Sequence, residues 1–354
     1  MTALLEVENL TVSLPTPGGY RNAVDGLSLS VAPGEVIGIA GESGSGKTMT
    51  ALSLFGMVPN GARVTGTARL DGTDLLALRG RALRDMRGRQ VAMVSQDPSA
   101  ALHPILTIGT QLTEHMRHHL GISKAEALTR AAGLLETVRI PDPERALRSY
   151  PGQFSGGMRQ RIAIAIALAA EPRLLVADEP TTALDVTVQA GILRLLDRLR
   201  AERDMAVIVI THDLGVMSAL ARRVYVMYAG RLAEAGPTGT LLTRPRHPYT
   251  RGLLDALPHP EAGRVPLVPI GGTPPSLGAV PDGCPFHPRC AHAVPACATA
   301  RPDPVPVPVP VPGPVPVPGE AAGPGPDGDA QASTESGRHL LACPPDPLRE
   351  VVAS

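Results

Sequence analysis

The chain has 354 residues, and its 33 Lys and Arg balance its 33 Asp and Glu, so the formal net charge is zero. A general polyanion binder usually carries a basic surplus, and we therefore expect no nucleic-acid partner. Hydrophobic residues make up 43% of the chain and aromatic residues only 2%, with no Trp, which predicts a sizeable aliphatic core.

The chain shows no sequence signal for crossing a membrane. Its longest apolar run, Ile162 to Ala170, has nine residues, whereas a spanning helix needs roughly 20. Glu6 and Glu8 stand where a signal peptide needs its apolar stretch. The sequence therefore predicts a cytoplasmic protein that reaches a membrane only at its surface.

Short aliphatic strands alternate with helices in the first two thirds of the chain. Predicted strands lie at 35–40, 91–94, 173–177, 206–210 and 224–228, and predicted helices begin at Lys47, follow Ser123 and span 186–203. This alternation predicts an α/β fold with a mostly parallel sheet. The predicted domains are a first domain (1–235), a C-terminal extension (236–300), a Pro-rich insertion (301–335) and the end of the extension (336–354).

Pro occupies every second position in much of the segment 302–330. Such a run excludes a helix and a paired strand, so we expect an extended, solvated spacer. A docking site for a proline-recognising partner is the alternative.

A glycine-rich segment follows the first predicted strand of the parallel sheet. It matches G-x-x-x-x-G-K-[ST] in the required strand–loop–helix context. Its backbone N–H groups and the following helix start would surround phosphate oxygens, with Lys47 on the β- and γ-phosphates and the Thr48 hydroxyl on Mg²⁺. We expect the whole segment to contact ATP: Gly41, Glu42, Ser43, Gly44, Ser45, Gly46, Lys47 and Thr48.

Two acidic residues, Asp178 and Glu179, end a later strand. Alone, these carboxylates could form structural ion pairs with basic side chains. Two buried acidic residues are costly, however, without a compensating cation. Together with the phosphate loop, they predict Asp178 as a Mg²⁺ ligand and Glu179 as the residue that polarises the attacking water.

A Ser-Gly-Gly turn, Ser155, Gly156 and Gly157, lies 23 residues before Asp178 and predicts a second anion-binding helix start. Here the sequence resembles the ABC ATPase family. The resemblance implies a RecA-like core, a helical subdomain and a small antiparallel β-subdomain. It also implies that two ATPase domains sandwich two ATP molecules, each Ser-Gly-Gly turn serving the partner's ATP.

The resemblance assigns four further positions. Gln96 matches the glutamine that senses Mg²⁺ and the attacking water, and His212 matches the histidine that contacts the γ-phosphate. Asp185, in the segment Ala183-Leu184-Asp185, matches the loop that crosses to the partner domain, and Tyr20 is placed like the aromatic residue that stacks on adenine.

Several segments are similar to the ATPase subunits of bacterial oligopeptide, dipeptide and nickel importers: YPGQFSGGMRQR at 150–161, QDPSAALHP at 96–104, HPYTRGLL at 247–254 and GCPFHPRC at 283–290. His103 and Gly152 depart from that group's usual Asn and His. The resemblance implies ATP hydrolysis that energises import. It also implies a second ATPase subunit, two membrane permeases, an external solute-binding protein and a place on the cytoplasmic face of the membrane. An importer of another solute, a soluble mechanical ATPase and a non-catalytic regulatory subunit are the alternatives.

All four cysteines lie near the C-terminal end: Cys284, Cys290, Cys297 and Cys343. Four thiolates can hold Zn²⁺ or an iron–sulfur cluster, and the residues alone do not separate these from unliganded thiols. The resemblance favours a four-iron cluster.

Overall fold

The structure is a computed structural model that describes residues 3–181, 185–257, 269–307 and 339–343. Its strands, in chain order, are β1 (Leu5–Thr16), β2 (Gly19–Val31), β3 (Val36–Ala40), β4 (Arg63–Leu70), β5 (Thr73–Asp74), β6 (Val91–Val94), β7 (Leu174–Asp178), β8 (Ala206–Thr211), β9 (Arg223–Tyr228), β10 (Arg231–Pro237), β11 (Val305–Val307) and β12 (His339–Leu341).

The helices are α1 (Lys47–Leu54), α2 (Gly80–Arg89), α3 (Pro98–Ala101), α4 (Ile108–Leu120), α5 (Lys124–Thr137), α6 (Pro143–Arg148), α7 (Gly156–Leu168), α8 (Val186–Arg203), α9 (Leu214–Ser218), α10 (Thr238–Thr243) and α11 (Pro248–Asp255). Short 3₁₀ turns occur at Leu75–Ala77, Pro151–Gln153, His287–Arg289 and Pro295–Ala298. Within the ranges given above, none of these helices is long and apolar enough to cross a membrane.

The central sheet has the strand order β11-β12-β10-β9-β3-β8-β7-β6 over the described residues. The run from β9 to β6 is parallel, and β10, β12 and β11 continue the sheet in antiparallel pairs. Strands β3, β7, β8 and β9 are buried along their whole lengths, because parallel strands are covered on both faces.

Alternating residues of the central strands build two separate cores. On β8, Val207 and Val209 pack with helices α4 to α8, whereas Ile208 and Ile210 pack with α1 and the antiparallel sheet β2-β1-β4-β5. The period of two along a strand sends neighbouring side chains to opposite faces. The expected α/β architecture, with a helical unit and a small antiparallel sheet, is therefore confirmed.

The strands and helices that local sequence signals predicted are present in the structure. The strand 91–94 and the helix 186–203 have the predicted bounds. The ends of the other four predicted strands lie within one residue of the predicted positions. Ser123 begins α5 as expected, because its hydroxyl accepts the N–H of Glu126 at 3.2 Å. The predicted domain boundary at residue 235 falls inside β10, which pairs with β9 and β12, and the division into domains stays a prediction.

The expectation that the Pro-rich run excludes a paired strand is wrong at its beginning. Val305–Val307 forms β11, in which Pro306 lies opposite Leu340 of β12. β11 is the outermost strand of the sheet, and an edge strand tolerates proline because one row of its N–H groups needs no partner. Residues 308–338, which hold the rest of the run, lie outside the described residues.

The core is mainly aliphatic, as predicted, but three buried aromatic side chains lie together where the C-terminal extension meets the central sheet. Tyr228, Tyr249 and Phe286 are buried there, and their ring centroids lie 4.6 to 5.3 Å apart. Three of the eight aromatic residues of the chain thus meet at this junction, where large rings bury much area.

A buried hydrogen bond attaches β12 to the rest of the sheet. His339 and Glu234 are both fully buried, and His339 Nε2 lies 2.6 Å from Glu234 Oε1. Burial alone would raise the pKa of Glu234, but hydrogen bonds from His339 and from the backbone N–H of Arg246 outweigh it and lower the pKa below its ordinary value.

We expect His339→Ala to lower the free energy of unfolding by about 3 kcal/mol, because Glu234 would keep its buried charge after losing a partner. Urea unfolding would measure the loss. His292→Ala, at an exposed histidine of the same extension, is the control and should change stability little. Equal stability of the two variants would contradict this account of β12.

Candidate nucleotide site

The predicted phosphate loop and catalytic residues follow four neighbouring parallel strands. β3 ends at Ala40, β8 at Thr211, β7 at Asp178 and β6 at Val94, and the register places Ala40 opposite Thr211 and Asp178 opposite Ile210. Because parallel strands end at the same edge, the segments after them share one crevice. The phosphate loop, Glu179, His212 and Gln96 all follow these ends.

The phosphate loop links β3 to α1 through backbone conformations that only glycine adopts easily. Gly41 has a φ of 146°, and a Cβ there would lie 2.2 Å from the carbonyl oxygen of Met227. Gly46 caps α1 with a φ of 101°. These two glycines let the chain turn tightly from the strand into the helix, as an anion-binding loop requires.

The Lys47 side chain lies inside the loop. Its ammonium group donates to the carbonyl oxygens of Gly41 and Glu42 at 2.7 and 2.8 Å. Burial lowers the pKa of Lys47, and Glu179, Asp178 and Glu42 oppose this by favouring the charged form. The loop therefore presents a desolvated positive charge, which attracts a phosphate group more strongly than an exposed lysine would.

Asp178 fits a cation ligand. Its side chain is buried, the Thr48 hydroxyl donates to it, and its Oδ1 atom has no hydrogen-bond partner among the described residues. Burial raises the pKa of Asp178, and the Glu179 carboxylate adds to that rise, while Thr48 and Lys47 oppose it. A Mg²⁺ ion held by Thr48 and Asp178 would compensate this buried oxygen.

Glu179 is held between the two other predicted catalytic residues. Gln96 Nε2 donates to Glu179 Oε2 at 3.1 Å, and His212 Nδ1 lies 3.2 Å from Glu179 Oε1. Its backbone has a φ of 46°, in the left-handed region, and its N–H donates to Ile210. Left-handed backbone in a residue other than glycine costs energy, and such strain is concentrated at functional sites.

The remaining predicted residues take the expected local structures. Ser155 caps α7 by accepting the N–H of Met158 at 3.3 Å, and Gly156 and Gly157 form its first turn. Asp185 caps α8 by accepting the N–H of Val188, whereas Ala183 and Leu184 lie outside the described residues. These contacts define the helix starts, and the proposed roles toward nucleotide stay predictions.

Tyr20 lies on the β1–β2 hairpin, and 39% of its surface is exposed. The Arg63 guanidinium lies 3.7 Å from the centroid of its ring. The ring is therefore already in a stacking contact with a planar cation, and its proposed stacking on adenine stays a prediction.

Sequence reasoning missed two residues that contact the phosphate loop. Tyr249 and Arg289 both bond to Glu42, although they follow it by 207 and 247 positions. Both lie in segments that the sequence analysis recognised only by resemblance, HPYTRGLL and GCPFHPRC. No local pattern reports contacts over such a separation.

The structure does not support the predicted iron–sulfur or zinc site. In the described part of the chain, which includes all four cysteines, no group of three or more His, Cys, Asp or Glu side chains could hold a metal ion. Burial raises the pKa of Cys284 and Cys290, and raises that of Cys343 to about 12.

A phosphate loop, an acidic strand end and a Ser-Gly-Gly helix start on one α/β chain define an ATP-binding cassette ATPase. Residues 24–182 match the family model described as ABC transporter, and residues 233–297 match the one described as oligopeptide/dipeptide transporter, C-terminal region. The chain belongs to the ABC transporter family, among the ATP-binding subunits that carry this C-terminal region, and it is an ATPase.

Relatives with known names cover most of the chain. It is 46% identical to the oligopeptide transport ATP-binding protein OppD of Salmonella typhimurium over 84% of this chain and 89% of that protein. It is 47% identical to the dipeptide transport ATP-binding protein DppD of Bacillus subtilis, over 85% of this chain and 91% of that protein.

Among solved structures, the dimeric ATP-binding cassette MJ0796 bound to ADP and Pi resembles this chain with a TM-score of 0.59 and 28% identity. The match covers 66% of this chain and 98% of that one. The shared part is therefore the cassette, without the whole C-terminal extension.

We expect Asp178→Asn to raise the free energy of unfolding of the nucleotide-free protein at pH 7. Because the pKa of Asp178 is raised on folding, ionisation destabilises the folded state as pH rises above roughly 4. The advantage of the variant should therefore grow from pH 4 to pH 7.

Urea unfolding at several pH values would test this. Asp282→Asn, at an exposed aspartate, should show no such growth. A variant less stable than the wild type at pH 7 would contradict the raised pKa of Asp178.

Proposed function

We propose that the chain is the ATP-hydrolysing subunit of a peptide importer and acts on the cytoplasmic face of the membrane. It would work with a second ATPase subunit and two membrane permeases, to which an external binding protein delivers peptide. The names of its relatives support peptide import, as does the match of residues 233–297 to the oligopeptide/dipeptide C-terminal region.

The arrangement of Gln96, Glu179 and His212 is the observation that carries the catalytic part of the proposal. Phosphoryl transfer to water depends on positioning and on charge neutralisation. We assign Glu179 to orient and deprotonate the attacking water, because its two oxygens are held by Gln96 on one side and His212 on the other. His212, with 60% of its side chain exposed, would contact the γ-phosphate.

The phosphate loop would bind the nucleotide. Residues 41–48 would surround the β- and γ-phosphates, and Lys47 would exchange its bonds to the Gly41 and Glu42 carbonyls for phosphate oxygens. Thr48, Gln96 and Asp178 would hold Mg²⁺, which supplies charge neutralisation when bound. Tyr20 would stack on adenine.

The second anion-binding helix start supports a paired arrangement. Ser155 is exposed at the beginning of α7, so it is accessible to a nucleotide bound by another subunit. Ser155, Gly156, Gly157 and Asp185 would then complete the partner's site. Closure of the pair on ATP and its reopening after hydrolysis would couple the site to the permeases.

We expect Glu179→Gln to keep ATP binding and to lower ATP turnover at least about 100-fold, because a positioned general base contributes that much or more. The variant should accumulate as a closed dimer in ATP. Steady-state ATPase assays and size-exclusion chromatography would measure both effects.

Glu136→Gln changes an exposed glutamate of α5 and should retain wild-type turnover and monomer content. Undiminished turnover in Glu179→Gln would remove Glu179 from its assigned role.

The solute can be tested in cells deleted for this chain. We expect them to lose uptake of a labelled tripeptide, and the wild-type gene to restore it, because import depends on ATP hydrolysis. Lys47→Ala should fail to restore uptake, whereas Lys124→Ala, at an exposed lysine of α5, should succeed. Unchanged tripeptide uptake in the deleted cells, accompanied by loss of Ni²⁺ uptake, would refute peptide as the solute.

A further inference from the structure

Glu42, the second residue of the phosphate loop, is held at three points. Its carbonyl oxygen accepts from Lys47 within the loop. Its N–H donates to the Tyr249 hydroxyl at 2.7 Å, and its carboxylate accepts two bonds from Arg289, at 2.7 and 3.0 Å. Two of the three attachments therefore come from the C-terminal extension.

Arg289 is held both by the extension and by the first domain. Its five N–H donors are matched by five acceptors: both Glu42 carboxylate oxygens, the Tyr228 hydroxyl and the carbonyl oxygens of Ile270 and Gly271. Only 5% of its side chain is exposed. A guanidinium held at every donor has little freedom to follow a movement of the loop, and its two parallel bonds fix the plane of the Glu42 carboxylate.

Tyr249 is equally restrained. It is fully buried, its ring packs against Tyr228 and Phe286, and its own N–H donates to His247 Nδ1 at 3.1 Å. The hydroxyl is thus a fixed acceptor for the loop N–H of Glu42. Without it, that N–H would lose a hydrogen bond in a part-buried setting, which costs free energy.

The negative charge of the Glu42 carboxylate is unfavourable in a loop that binds a triphosphate. A negative side chain within the loop repels phosphate oxygens, and the low dielectric of a part-buried site strengthens the repulsion. The bidentate bonds to Arg289 neutralise this charge and hold it on the side of the extension. The same contact therefore fixes the loop and removes a repulsive charge.

We infer that Arg289 and Tyr249 are positioning residues for ATP binding, through which the C-terminal extension holds the phosphate loop in its binding conformation. The inference rests on the proposed function, since it assigns these residues to the nucleotide site of that ATPase. It gives the extension a role in the nucleotide site itself, apart from its attachment to the sheet through β12.

The chain contains a matched control for this contact. Arg223 makes two bonds of 2.8 Å to the Glu35 carboxylate, and the Tyr225 hydroxyl accepts from Arg223 and from the backbone N–H of Ser30. This group is also buried, but Glu35 precedes β3 and Arg223 begins β9, so it lies at the opposite end of these strands from the phosphate loop.

We expect Arg289→Gln and Tyr249→Phe each to raise the dissociation constant for ATP and the KM about tenfold, with a smaller effect on kcat. Tyr249→Phe conserves the shape of the buried ring and keeps the test valid if Arg289→Gln unfolds. Arg289→Lys should recover only part of the affinity, because an ammonium group cannot make the bidentate contact. Calorimetry, ATPase kinetics and urea unfolding of the full chain would supply the readouts.

The control variants Arg223→Gln and Tyr225→Phe should lose comparable stability and bind ATP within about twofold of the wild type. Glu42→Gln combined with Arg289→Gln should bind ATP no more weakly than Arg289→Gln alone, because the two residues act through one contact.

Unchanged ATP affinity in both Arg289→Gln and Tyr249→Phe would overturn the inference. An equal loss of affinity in the control variants would also overturn it, since general destabilisation would then explain the effect. A wild-type chain that bound no ATP would refute the proposed function itself.

Discussion

The parallel pairing of β3, β8, β7 and β6 is the constraint on which the candidate site depends. These strands are far apart in the chain, yet their register brings the phosphate loop, Glu179, His212 and Gln96 to one edge of the sheet. Both faces are buried, so a shift of one residue in any strand would turn its apolar side chains into the wrong core. The packing of the two cores thus fixes the geometry of the site.

Burial of the charged side chains determines the electrostatics of this site and also costs folding free energy. Lys47 and Asp178 are almost inaccessible to solvent. Burial lowers the pKa of Lys47 and raises that of Asp178, so it favours the neutral form of each side chain. Each charge is partly compensated by the other and by the loop. A bound phosphate and a cation would complete that compensation, which is why such a site favours a metal–triphosphate ligand over either component alone.

The C-terminal extension is joined to the cassette by contacts of two kinds. The His339–Glu234 pair and the aromatic group of Tyr228, Tyr249 and Phe286 bury it against the sheet. The bonds of Arg289 and Tyr249 to Glu42 then connect it to the phosphate loop. The segments that attach the extension to the sheet therefore also include the residues that contact the site.

The sequence by itself determined the local elements and the chemistry of the site: the glycine-rich loop, the acidic end of β7 and the cap at Ser155 each follow from residues close together in the chain. Three features were decided only by the tertiary structure. Arg289 and Tyr249 contact Glu42, although more than 200 positions separate them from it in the chain. Pro306 lies in a sheet because β11 is an edge strand. The four cysteines form no metal-holding group in the described residues. The physical reason is that short-range patterns report backbone preference and periodicity, whereas contacts between distant segments depend on how the whole chain packs.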